Sequence, residues 1–204
     1  MGEAERMLLI DPGRTVPLEP RTDEFFLRPI TVADAARDYE AVMETREDLR
    51  VWEQSSWPED AFTVEANAKD LADLERRHLE RRAFTYTVLD PGGAESLGCV
   101  YIFPTTASFL AKATVTAVSE EAVWADVDAV VYFWIRAARI SSGLEARLLS
   151  ALRSWMAEDW ALARTVFVTN EQFERQVRLL DAAGLRVRFE LREPAKAGTY
   201  LVYG

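Results

Sequence analysis

Phe133 to Leu149 reads FWIRAARISSGLEARLL, and the order of residue types in it decides the architecture around it. Val127 to Ile135, which runs into this stretch, is a nearly unbroken apolar and aromatic segment, the pattern of a strand covered on both faces of a sheet. After Gly143, apolar residues return at Leu144, Leu148, Leu152, Trp155 and Met156, a helical period that leaves one face to bury. The stretch is a strand, a short turn and an amphipathic helix. A helix N-terminus at the end of a strand points unpaired backbone N–H groups and a positive dipole at one spot, so the turn has the geometry to hold an anion.

The rest of the chain sets the frame for that unit. With 204 residues, 49% of them hydrophobic, it is long enough for one packed core and short for two. Residues 1 to 24, rich in proline and glycine, are expected as an arm with at most a short strand at Met7 to Ile10, and residues 25 to 204 as a single domain. The net charge is -10, with Asp and Glu spread along the chain. Nucleic acids and anionic membranes reward basic patches, so neither is an expected partner, and a cationic or amine substrate fits better. Cys99 is the single cysteine; it can form no internal disulfide and is expected as a core thiol. No apolar run approaches the ~20 residues of a membrane span, and the start MGEAERMLLIDPG is acidic and lacks the apolar core of a secretion signal. A cytoplasmic protein is expected.

Phe25 to Arg28 reads as a short strand stopped by Pro29, and Thr31 with Asp34 as the cap of a helix from Val32 to about Trp52. A second helix, mostly charged, is expected from about Val64 to Arg82. Phe84 to Leu89 and Leu97 to Phe103 are strands, and Asp90-Pro91-Gly92-Gly93 makes them an antiparallel hairpin. Thr105 to Glu121 reads as an insertion with no assigned structure. Thr165 to Val168 should lie parallel to Val127 to Ile135, joined by a right-handed helical crossover. A last helix from about Glu171 to Ala183 ends at Gly184, and strands at Arg186 to Leu191 and Thr199 to Tyr203 close the sheet.

This element order, together with the opening FFLRPITVADAARDYEAVM and the Phe133 to Leu149 turn, resembles the GNAT acyltransferase superfamily. Members read a buried strand, then Q/R-x-x-G-x-G/A, then a helix that grips the pyrophosphate of acyl-coenzyme A. On that pattern Ile140 takes the Gln/Arg place, Gly143 the first glycine place and Glu145 the final small-residue place, and only Gly143 fits. The resemblance covers nearly the whole chain, from about Phe26 to Tyr203. It implies an α/β (α+β) fold with a mixed, mostly antiparallel central sheet of about six or seven strands, about four flanking helices and one parallel strand pair at the cofactor cleft.

The resemblance also implies an activity: transfer of an acyl group from an acyl-CoA, acetyl-CoA above all, to a primary amine by direct attack within a ternary complex. Ile135, Arg136 and Ala137 then match the segment whose backbone holds the pantetheine arm. The N–H groups of Ser141, Ser142, Gly143, Leu144, Glu145 and Ala146 would face the pyrophosphate, and Asn170 falls close to a cofactor-contacting Asn of many relatives. Leu180 stands where relatives often carry a Tyr general acid. Asp126 and Asp128 open the central strand two residues short of a common Glu base; they read either as base candidates or as the solvated start of a strand. Trp52, Trp57 and Phe62 flank the acidic Glu53, Glu59 and Asp60. They either wall an amine site through cation–π contacts or pack the loop against the core. His78 is the only histidine and has no second ligand in its surroundings, so a structural role is expected and no metal.

A second class of function stands beside the first: a GNAT-fold binding or interaction module that has lost efficient cofactor binding. Ser142-Gly143-Leu144-Glu145 reads as an S-x-x-E capping box, which would occupy the donors a phosphate needs and set a carboxylate beside it. The sequence leaves a homodimer open.

Overall fold

A computed structural model describes residues 9–10 and 13–204. The proposed strand at Met7 to Ile10 falls largely outside these residues. Among the described residues eight strands form one sheet: β1 (Phe26–Pro29), β2 (Phe84–Leu89), β3 (Ser96–Phe103), β4 (Thr114–Ala117), β5 (Ala129–Ile135), β6 (Thr165–Asn170), β7 (Val187–Arg192) and β8 (Tyr200–Tyr203). Their spatial order is β1-β2-β3-β5-β6-β8-β7-β4. Every pairing is antiparallel except β5 with β6. The helices are α1 (Ala35–Glu44), α2 (Arg46–Glu53), α3 (Val64–Leu79), α4 (Leu144–Glu158) and α5 (Glu174–Ala182).

The mixed sheet and its single parallel pair are as the sequence implied, and two details differ. The insertion at Thr105 to Glu121 contributes β4, a short and largely exposed edge strand that pairs with β7. The expected first helix is a 3-10 turn at Val32–Asp34 followed by α1 and α2, broken at Thr45. Thr45 is buried, and its hydroxyl accepts the N–H of Ala137 at 3.0 Å. The break therefore serves a tertiary contact with the segment after β5.

Period-2 alternation sends the two faces of β5 into different cores. Ala129, Val131, Phe133 and Ile135 pack beneath α4 with Leu148, Leu152, Trp155 and Trp160. Val130, Tyr132 and Trp134 face α1 to α3 with Leu49, Trp52 and Leu71. β5 and β6 pair only at Ala129↔Thr165, Val130↔Val166 and Val131↔Phe167. Beyond Val131 the two strands part. The segment before β1 is tied to the body: the Trp155 indole donates to the Leu18 carbonyl at 2.8 Å, and Leu27 N–H to that of Pro20 at 3.1 Å. No helix among the described residues is long and apolar enough to cross a membrane.

Candidate functional site: an acidic aromatic cavity beside a filled groove

Two features meet where β5 leaves β6. On the side of α1 to α3 lies a cavity of about 460 Å³, a size that suits a small-molecule site. Its walls are built from the alternation of two neighbouring strands. Tyr101 and Phe103 share one face of β3, and Tyr132 of β5 stands directly opposite Tyr101 in the register. Trp52 at the end of α2 packs 6.1 Å from both Tyr101 and Tyr132, and Phe109 packs 5.0 Å from Phe103 and 6.1 Å from Tyr132. Trp57 and Tyr200 complete the aromatic lining. Tyr132 Oη and Trp52 Nε1 are buried behind the ring surfaces and have no hydrogen-bond partner among the described residues.

The charged lining is four carboxylates, Glu53, Asp70, Asp73 and Glu193, against one guanidinium, Arg77. Arg77 is spent on Asp73, and Glu53 is paired with Lys196 at 3.3 Å. Asp70 and Glu193 form no ion pair among the described residues. Burial raises the Glu193 carboxyl above the ordinary range, Lys196 opposes the rise and Glu53 adds to it. Burial, and then the nearby Asp73, raise that of Asp70. Burial also lifts the Tyr132 phenol, with Glu193, Tyr200 and Glu53 adding to the effect, so that hydroxyl stays protonated and lies in the field of the acids. The space is a cage of rings with unneutralised negative charge, complementary to an organic cation.

The groove between the parting ends of β5 and β6 is different, because the chain's own side chains occupy it. Gln176 Nε2 donates to the Phe133 carbonyl at 3.0 Å and to Glu145 at 3.3 Å. Arg175 bonds Glu145, reaches Asp48 of α2 at 3.0 Å and lies over the Phe173 ring at 4.7 Å. Burial raises the Glu145 carboxyl, against the pull of Arg175 and Gln176. At the turn after β5, Ala137 N–H is taken by Thr45 and Ala138 N–H by the Glu44 carboxylate at 2.8 Å. Glu44 also holds Arg136 at 2.7 Å. Burial works against charge on Glu44, but the Ala138 N–H and Arg136 outweigh it and keep the carboxyl below the usual range. A carboxylate of the chain sits where an anionic ligand would meet the turn.

The geometry corrects one sequence expectation and places the other proposed residues. The Ser142 to Glu145 capping box does not form: Gly143, at φ +75°, is the N-cap, Ser142 Oγ accepts from Leu144 N–H at 3.3 Å, and Glu145 turns inward. Glu145 is 5% exposed, because its partners lie on α5. Of the other proposed cofactor residues, Ile135 and Leu144 are core, Ser141 is exposed, and Arg136 is paired with Glu44 and Glu95. Asn170 donates to the Val51 carbonyl and accepts Gln172 N–H at 3.0 Å, which ties the end of β6 to α2. Leu180 is fully buried.

Asp128 is held by the Arg164 backbone at 2.9 Å and its guanidinium at 3.0 Å, and exposed Asp126 lies 3.9 Å from the same arginine. Neither lines the cavity; both stand just before β5. Trp52 and Trp57 do line it, whereas Phe62 stacks behind Trp57 and Tyr39. His78 packs against the Phe84 and Tyr86 rings, 4.8 and 5.1 Å away. No group of His, Cys, Asp or Glu among the described residues could hold a metal ion. Sequence reasoning missed Tyr101, Phe103, Tyr132 and Glu193. The aromatic alternation on β3 and β5 was the available signal for the first three; nothing local marks Glu193.

An acyl-CoA bound as the sequence resemblance implies needs the groove and the N–H groups of the turn. The parting strands fit such a ligand. Its contacts are partly taken: of the N–H groups that the resemblance names, Arg136 bonds the Leu97 carbonyl, Ala137 Thr45, Gly143 the Ile140 carbonyl and Leu144 Ser142 Oγ, while Phe133 O and the Ala138 N–H beside them are held by Gln176 and Glu44.

No family model matches the chain, and no curated protein sequence matches it. Solved structures do. A ribosomal-protein-S5-alanine acetyltransferase from Vibrio fischeri superposes with a TM-score of 0.64 at 18% identity, covering 91% of this chain and 94% of that one. A ribosomal L7/L12 alpha-N-protein acetyltransferase solved with coenzyme A gives 0.65 at 13%, over 90% and 94%. The microcin C7 self-immunity acetyltransferase, solved with acetyl-CoA and AMP, gives 0.65 at 12%, over 89% and 92%. The fold of this chain is that of the GNAT acetyltransferases.

Proposed function

We propose that the protein is an amine-directed N-acyltransferase whose acceptor is an organic amine with an apolar body, held in the acidic aromatic cavity. The observation that carries this reading is the cavity itself: five connected rings and two carboxylates without ion-pair partners among the described residues, at the point where β5 leaves β6. The rings take the body of the ligand and the faces of Trp52 and Tyr132 its cationic head. Glu193, lifted above the ordinary carboxylate range, accepts the ammonium proton and leaves a neutral nucleophile. An acyl-CoA, found as acetyl-CoA with one of the similar structures and as coenzyme A with another, would supply the activated acyl carbonyl.

A second reading, an amine-binding module without transfer, is favoured by the filled groove. One experiment separates the two. Phenethylamine and its neutral isostere phenethyl alcohol are titrated calorimetrically, and the amine is then incubated with acetyl-CoA and analysed by mass. The amine should bind at least about tenfold more tightly than the alcohol, a difference of about 1.4 kcal/mol. Glu193→Gln should remove most of that preference. Equal binding of the two probes refutes the cavity assignment; amine binding without acetylated product selects the module.

A further inference from the structure

We infer that the groove between β5 and β6 is closed by an internal substitute for its ligand, an Asp48–Arg175–Glu145 bridge with Glu44 on the turn, and that an acyl-CoA enters only by displacing it. This rests on the acyltransferase reading and concerns the donor half of the site. Four elements converge on the bridge. Arg175 and Gln176 come from α5, Glu145 from the first turn of α4, Asp48 from α2, and the Phe133 carbonyl from β5 beyond its last pairing with β6. Glu145 and Gln176 are buried, at 5% and 0% exposure, while Arg175 is a quarter exposed. The bridge thus has a dry end under the strand and a wet end at the mouth.

The chemistry of the contacts explains why they fill the groove instead of lining it. Phe133 O is a strand carbonyl released by the parting of β5 from β6, and an unpaired buried carbonyl is costly; Gln176 satisfies it. Glu145 occupies the first turn of α4, where a carboxylate is favoured by the helix dipole, and is oriented by Arg175 and Gln176. Glu44 accepts the Ala138 N–H while neutralising Arg136. Arg136, Arg139 and Arg147 surround the turn, and each is matched by a carboxylate: Glu44, Glu95 and Glu24. An entering diphosphate finds these cations engaged and meets the charge of Glu44 head-on.

Because the tethered groups compete with the ligand, the apparent Kd is the intrinsic value divided by the open fraction. Emptying the groove should therefore tighten binding without any new contact. Coenzyme A and acetyl-CoA are titrated calorimetrically into the wild-type protein, Glu44→Ala and Glu145→Ala, with phenethylamine binding as the check that the cavity persists. Glu44 lies at the rim, so its variant leaves the interior intact. We expect weak binding to the wild type, and at least about tenfold tighter binding to each variant, as for an open fraction of about 0.1 or less. Measurable and equal affinities in all three proteins overturn the closure and leave the acyltransferase reading standing. No binding to any of them, with amine binding retained, overturns the donor assignment and the closure with it.

Discussion

Replacing Asp38 with asparagine should stabilise the protein, and only above acid pH. Asp38 lies on the inner face of α1, 4% exposed, where Asn67 Nδ2 donates to it at 2.9 Å. Burial, with Asp34 and Asp70 nearby and against the Asn67 bond, raises its pKa from 3.8 to about 6. Since the folded value is the higher one, the native state binds more protons than the unfolded chain between those limits. Stability therefore falls as pH rises through that window and is flat above it. A rise of that size corresponds to about 3 kcal/mol of cost at neutral pH. Asparagine has no charge to bury and keeps an oxygen to accept from Asn67. Its amide N–H group is a buried donor in place of the acid, which costs about 1 to 2 kcal/mol where it finds no acceptor. The net gain expected at pH 7.5 is about 1 to 2 kcal/mol, or roughly 3 to 6 °C in Tm for a chain of this size. At pH 4 the gain should shrink to about 0.5 kcal/mol or less. Urea denaturation of both proteins at the two pH values measures it. An unchanged or lower stability at pH 7.5, or the same gain at both, would refute the charge-burial account.

Gly98 has φ +155°, and a Cβ there would lie 2.1 Å from the Trp134 carbonyl; Gly98→Ala should cost at least about 2 kcal/mol, read as a lower urea midpoint. Arg28 holds the buried Asp34 through bonds of 2.9 and 2.6 Å, which keep that carboxyl below its ordinary range against the effect of burial. With Arg37 remaining at 3.4 Å, Arg28→Ala should lose about 2 to 3 kcal/mol at pH 7. Because the folded pKa of Asp34 is depressed, the loss should narrow as pH falls below about 4; a pH-independent loss would point to packing alone. Thr45→Val removes the acceptor of the Ala137 N–H and should cost about 1 to 3 kcal/mol, with faster hydrogen exchange at Ala137.

The parts of the fold that were legible are those where one local signal points one way. The apolar runs of β5 and β6, the turn residues between β2 and β3, and Gly184 at the end of α5 all placed elements correctly. What escaped was decided from a distance. Thr45 breaks α1 from α2 to serve Ala137, 92 residues away, and no proline or glycine announces the break. β4 is a four-residue edge whose identity comes from pairing with β7. Within the site, Trp52 and Trp57 were visible as aromatic residues beside acids, but local sequence could not separate them from Phe62, which points into packing. Glu145 shows the limit most directly. In sequence it completes a capping box with Ser142; in the fold Arg175, thirty residues on, outcompetes the backbone for it.

The two halves of the site differ in how their carboxylates are neutralised, and that difference orders what each can bind. In the groove every acid has a cation supplied by the chain: Arg175 for Glu145 and Asp48, Arg136 for Glu44. A covalently tethered partner needs no further loss of translational freedom to pair, whereas an incoming ligand does. A groove closed this way favours its own cations over a dilute ligand. In the cavity Asp70 and Glu193 keep raised pKa values because their burial is not compensated. A bound ammonium supplies the missing partner there, so its arrival should draw both carboxyls down. Amine binding at a pH near these pKa values should then release protons from the acids. Repeating the phenethylamine titration in buffers of different ionisation enthalpy counts them: release should rise as pH falls from 7.5 toward 5.5 and drop in Glu193→Gln to what Asp70 alone supplies. Release that is absent, or unaffected by that substitution, would place the ammonium away from Glu193 and remove the base from the proposed reaction.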